Sequence, residues 1–100
     1  MAENDIDKNS IMFISLVTSL GSQAFAQLGK VKDSSTNNIE RNLDAASLSI
    51  DMLDMLKERT QGNLSEQETS LLEKTLSDLK LNFVQESKNE SHNNKKDKSE

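Results

Sequence analysis

Residues 39–62, IERNLDAASLSIDMLDMLKERTQG, carry two separate apolar stripes on what reads as a single helix. At about 100° per residue, Ile39, Leu43, Ala46, Ile50 and Leu53 fall on one narrow face. Leu48, Met52, Met55 and Leu56 fall on a second face, turned well away from the first. Glu40, Asp44, Asp51, Asp54 and Glu58 line up between the two as an acidic ridge. A helix resting on one core needs one apolar stripe. This one is expected to pack on both sides.

The helices flanking it are legible from the same periodicity. Ser10 is placed to cap a first helix that runs to Leu28 and stops at Gly29, a residue suited to a left-handed helix end. Phe13, Leu16, Val17, Leu20, Ala24 and Leu28 form its main stripe, which Ile14, Gly21 and Phe25 widen. Gly21 either admits a neighbouring helix at close range or is merely tolerated, at a cost of about 1 kcal/mol in helix propensity. Residues 30–38, KVKDSSTNN, form a polar connector in which Asn37 or Asn38 can cap the second helix. That helix ends at Thr60–Gly62, with Lys57 and Arg59 in a last turn that favours cations.

A third helix opens at Ser65-Glu66-Gln67-Glu68, a capping box in which the Ser65 hydroxyl and the Glu68 carboxylate satisfy each other's backbone amides. Leu72, Leu76, Leu79 and Phe83 make its stripe; Leu71, Leu81 and Val84 lie off it. The apolar pattern stops at Val84, and QESKNESHNNKKDKSE has no large apolar residue to repay its ordering entropy. The expected organisation is an N-terminal arm over residues 1–9, a three-helix domain over 10–84 and a disordered polar tail over 85–100. The fold class is all-α, with helices two and three as an antiparallel hairpin, helix one folded across them, and self-association completing the unit. In the turn between the last two helices, Gly62 can take positive φ, Asn63 can bond the turned backbone and Leu64 can pack back toward the hairpin.

Composition narrows the chemistry. No cysteine is present, so neither disulfides nor a thiolate metal site enter the argument. His92 is the sole histidine, and one imidazole makes neither a metal site nor half of a catalytic pair. No nucleophile elbow or glycine-rich phosphate loop occurs. These features point away from an enzyme and from any cofactor. Carboxylates strung along one exposed helix face read as solvated rather than as a cation cage. A net charge of −5 argues against nucleic acid or anionic membrane as partners. Residues 51–84 resemble a helix-turn-helix on paper, yet Glu66, Glu68 and Glu73 crowd the end that would meet phosphate. The Lys95–Lys98 segment, KKDK, reads as a solvating device of the tail. Residues 1–10, acidic and polar, do not resemble a signal peptide, and the run Ile11–Val17 is too short to span a bilayer. A cytoplasmic location is the default.

What remains is apolar surface. A chain this short has a thin core, and its three helices carry more apolar circumference than one copy can shield. Burying a Leu or Met side chain is worth about 1.5–3 kcal/mol, so exposure is costly. Self-association into a homodimer or higher oligomer, through Ile14 and Phe25 of helix one and Leu48, Met52, Met55 and Leu56 of helix two, is the favoured reading. Capture of another protein is a further use of the same adaptable Met-rich surface. In the blander alternative, Leu48, Met52 and Met55 only cover the flank of the core. An alternative of another class is a small-ligand or lipid cavity lined by Phe13, Phe25 and Phe83.

Two segments carry a family resemblance: FISLVTSLGSQAFAQLG (residues 13–29) and SIDMLDMLKERTQGNLSEQETSLLEKTLSDLK (residues 49–80). Ile50, Asp51, Leu53, Leu56, Thr60, Gly62, Asn63 and Leu64 follow the pattern of the bacterial family called domain of unknown function 1844, which the chain resembles over residues 10–84. Arg59, Lys80 and Phe83 depart from it, as does a connector without proline. The resemblance implies a small all-helical bacterial cytoplasmic protein. It brings no activity, cofactor or catalytic residue.

Overall fold

A computed structural model describes residues 7–31 and 40–98, with side chains through Asn89. Three helices account for most of it: α1 (Lys8–Gln27), α2 (Leu43–Arg59) and α3 (Glu66–Lys98). Side-chain caps and local pairing set their ends, while side-chain contacts set their directions.

Helix α1 begins at Lys8, where the Asp7 carboxylate accepts from the Asn9 amide at 3.2 Å. Ser10, the cap expected from sequence, lies inside the helix, its hydroxyl near enough to the Glu68 carboxylate of α3 to help hold that carboxyl below the usual range. At the other end Gly29 adopts φ 81° and turns the chain out of the helix. Residues after the connector then return along α1. Leu28 and Arg41 form an isolated antiparallel bridge, and the Asn42 amide donates to the Gln27 carbonyl at 2.7 Å. This pairing holds Asn42 extended, so α2 starts at Leu43, with the Asn42 side chain capping the Ala45 amide at 3.1 Å. Glu40 therefore precedes α2 instead of belonging to it. Ile39, Asn37 and Asn38 lie outside the described residues.

The α2–α3 turn has the capping box read from sequence. The Ser65 amide donates to Glu68 Oε1 at 2.8 Å, and the Glu68 amide donates to Ser65 Oγ at 3.1 Å. Gly62 has φ 80°, and Leu64 packs against the core. Ion pairs step in opposite directions along the two helices, Lys57–Glu73 at 3.9 Å and Asp54–Lys80 at 3.0 Å, which makes α2 and α3 antiparallel. Gln23 and Gln27 of α1 meet Ser49 of α2, while Ser10 meets Glu68 and Gly21 meets Thr75 of α3. Helix α1 is thus antiparallel to α2 and parallel to α3. It lies alongside both, in a three-helix bundle, rather than across them.

Val17, Ala24, Leu28, Ala46, Ile50, Leu53, Leu72, Leu76 and Leu79 form the buried cluster. Gly21 is buried at the α1–α3 contact; a Cβ there would stand 3.0 Å from Thr75 Cγ2, so close helix approach is its use. The bundle is sealed at the connector end by Glu86, whose carboxylate holds Lys30 at 2.7 Å and Arg41 at 2.6 Å. The Lys30 and Arg41 hydrogen bonds, in that order, hold the Glu86 carboxyl below the usual carboxylate range.

Helix α3 does not end where its apolar stripe ends. Its backbone stays helical to Lys98 instead of leaving the helix at Gln85. The stretch after Gly62 contains neither glycine nor proline, so nothing in it breaks a helix. The stripe marks where the bundle stops, which is a different boundary. The side chains of His92 and of Lys95–Lys98 lie outside the described ones.

A candidate interaction face on helices α1 and α2

Two seams run along α1 at the helical repeat. Ser10, Ile14, Gly21 and Phe25 follow the seam that meets α3, as the Ser10–Glu68 and Gly21–Thr75 contacts show. Met12, Leu16, Leu20, Gln23 and Gln27 follow the seam that meets α2, as the Ser49 contacts show. On α2, Ala45, Ser49, Met52 and Leu56 face α1, with Leu48 and Met55 one step further out.

The antiparallel register brings these positions level. Moving back along α1 from Gln23 to Leu16 matches moving forward along α2 from Ser49 to Leu56, at equal rise per residue. Ser49 meets Gln23 and Gln27 together, so Leu16 and Leu20 stand level with the C-terminal half of α2, where Met52, Met55 and Leu56 lie, and Met12 near its C-terminal end. Much of this strip meets solvent: Leu48 is 61% exposed, Met12 53%, Met55 47% and Leu16 45%. Met52 is half-buried, and Leu56 and Leu20 pack against the core as the floor.

The face differs from the one read from sequence in two ways. Ile14 and Phe25 sit on the opposite flank of α1, half-buried beside α3, and do not join Leu48, Met52, Met55 and Leu56. Met12 and Leu16 take their place. Leu16 was expected in the buried stripe; Met12 was not singled out. An amphipathic pattern gives the width of the apolar sector, but the side on which the neighbouring helix stands decides which edge is covered.

The acidic ridge borders this face on α2. Asp44, Asp51 and Glu58 are exposed, while Asp54 is paired with Lys80. Beneath the rim, Ser49 is a buried polar residue that sequence reading passed over. Its hydroxyl donates to Gln27 Oε1 at 2.7 Å and accepts from Gln23 Nε2 at 3.1 Å. The spacing of Gln23 and Gln27 on one α1 edge was the available signal.

Phe13, Phe25 and Phe83 all pack against the buried cluster. Phe13 and Phe25 stand about 18 Å apart along α1 at 1.5 Å per residue, so they line no common cavity. A cleft of about 490 Å³ opens instead at the α2–α3 turn, between Lys57, Thr60, Gly62, Leu64, Thr69 and Leu72. Among the described residues no cluster of three or more His, Asp or Glu side chains is placed to hold a metal ion. No helix among them is long and apolar enough to cross a membrane.

The family described as Domain of unknown function (DUF1844) matches residues 10–85. The chain belongs to that family. Its match covers α1, α2 and the part of α3 that packs in the bundle, together with the turn bearing Gly62 and Asn63. Neither a curated protein nor a solved structure matches the chain.

Proposed function

We propose that this DUF1844 protein is a non-enzymatic interaction module that self-associates through the α1–α2 face, in the cytoplasm of a bacterial cell. The observation that carries this reading is the run of half-exposed Met12, Leu16, Leu48 and Met55 around Met52, along two adjacent helices. Scattered apolar residues on a surface are ordinary, whereas a contiguous strip bordered by charge marks a contact site. Methionine suits such a site, since its unbranched, polarizable side chain adapts to a partner. Capture of a second protein on the same face is an extension of the same chemistry. The bacterial, cytoplasmic setting rests on the family resemblance and on the polar character of the chain's surface.

Half-burial of these side chains leaves each with roughly 1 kcal/mol still to gain from contact. The strip as a whole offers on the order of 5 kcal/mol, against an association cost of similar size or larger. With the strips of both copies buried, the surplus is at most a few kcal/mol, which corresponds to a reversible complex with a dissociation constant of about 1 mM or weaker. The double variant Met52→Glu, Met55→Glu tests the face. Its sedimentation mass is expected to fall to that of one copy at concentrations where the unmodified chain associates, with its helical circular dichroism retained. Undiminished mass removes these residues from the contact.

A further inference from the structure

The strip on α1 and α2 holds the chain's oxidisable chemistry. Cysteine, tryptophan and tyrosine are absent, so thioethers are the side chains that a peroxide attacks readily. There are four methionines, and the three after Met1 all stand in this strip: Met12 on α1, Met52 and Met55 on α2. Their access to water is graded. Met12 is 53% exposed and Met55 47%, whereas Met52 is half-buried. The buried cluster of the bundle consists of valine, alanine, isoleucine and leucine, so oxidation of the exposed thioethers does not touch it.

We infer that Met12 and Met55 form a peroxide-responsive site, at which oxidation turns the α1–α2 strip from apolar to polar while the bundle stays folded. The thioether sulfur attacks one oxygen of hydrogen peroxide: an S–O bond forms and the O–O bond breaks. The attacked oxygen gives its proton to the leaving hydroxide, which departs as water; sulfur loses the electron pair that the peroxide gains. The sulfoxide is polar and accepts hydrogen bonds where the thioether was apolar. At Met55 a donor is at hand, since exposed Arg59 stands one turn further along α2, where helix side chains meet. Both positions face solvent, so the added oxygen opens no buried contact, whereas at Met52 it would enter half-buried packing. Without cysteine the chain cannot reduce the sulfoxide itself, so restoration falls to methionine sulfoxide reductases, one for each epimer, with a thiol as reductant. The same oxygens remove apolar surface from the contact proposed above; that regulatory consequence rests on the self-association reading, and the site itself does not.

The full-length chain is treated with graded hydrogen peroxide, and peptide mass mapping follows oxygen uptake at each methionine against time. Uptake at Met12 and Met55 is expected to be several-fold faster than at Met52, with helical circular dichroism unchanged and earlier elution from a hydrophobic-interaction column. Treatment with both reductases should return the elution to its starting point. Met12→Leu with Met55→Leu keeps the strip apolar without its exposed sulfurs, and its elution is expected to hold still under the same treatment. Equal rates at all three positions, or loss of helical signal in step with uptake, overturns the inference, as does an elution shift that survives the double leucine change. Sedimentation in parallel separates this site from the self-association reading. A single-copy mass before treatment removes self-association and leaves the peroxide site to be judged by the mass map and elution. A mass that rises with concentration before treatment and falls to one copy after it supports the regulatory step, and a dimer that survives full oxidation of Met12 and Met55 overturns that step.

Discussion

At the scale of single residues, Gly21 and Glu86 do the most specific work. A methyl group at position 21 would press on Thr75 Cγ2, and a β-branched side chain in a helix has little rotamer freedom with which to yield. Overpacking costs about 1–3 kcal/mol, which outweighs the gain of about 1 kcal/mol that Ala brings over Gly in a helix. Gly21→Ala is therefore expected to lower stability by about 1 kcal/mol in chemical denaturation. In a Thr75→Ser background, which lacks the offending methyl, the same change becomes neutral or stabilising. Glu86 binds Lys30 and Arg41 at once and has its pKa lowered by them. Its folded pKa lies below its unfolded one, so its contribution is present above the ordinary glutamate range and disappears as pH falls through the lower value. Thermal scans of Glu86→Gln should show a lower melting temperature than the unmodified chain at pH 7. The gap narrows as pH falls below the ordinary glutamate range and closes once pH is below the lowered folded value. A gap that persists in acid would show that Glu86 acts by packing instead of charge.

At the scale of helices, the sequence spoke most clearly where apolar spacing and a local cap agree. The box at Ser65 and Glu68, the positive-φ stops at Gly29 and Gly62, and the buried stripe of Ala46, Ile50 and Leu53 are all as spacing predicts. The starts of α1 and α2 were less legible for a common reason. Asp7 and Asn42 cap through local bonds to the Asn9 and Ala45 amides, and neither was the residue that spacing favoured. Ser10 is diverted to Glu68, and Asn42 is held by its amide's bond to Gln27. Several residues in each region have side chains able to cap, and nothing local ranks them. The end of α3 was hidden for another reason: its apolar stripe reports burial, whereas helical backbone continues through polar residues that contain no breaker.

At the scale of the whole molecule, the candidate face was half legible. The second stripe of α2 could be read directly, because Leu48, Met52 and Met55 are turned away from Ala46, Ile50 and Leu53 within one helix. Its complement on α1 could not, since Leu16 and Ile14 flank the same core stripe on opposite sides. Choosing between them requires the position of α2, which only the long-range contacts of Ser49 with Gln23 and Gln27 supply. Once placed, the strip runs from Met12 to Leu48, with acids along its α2 border and exposed Arg59 at its C-terminal end. One copy folds around its buried cluster and still leaves this strip in water. Sedimentation equilibrium of the unmodified chain across a range from micromolar to millimolar tests this most directly. The account predicts a mass that rises with concentration from one copy to two, and a single-copy mass throughout that range would contradict it.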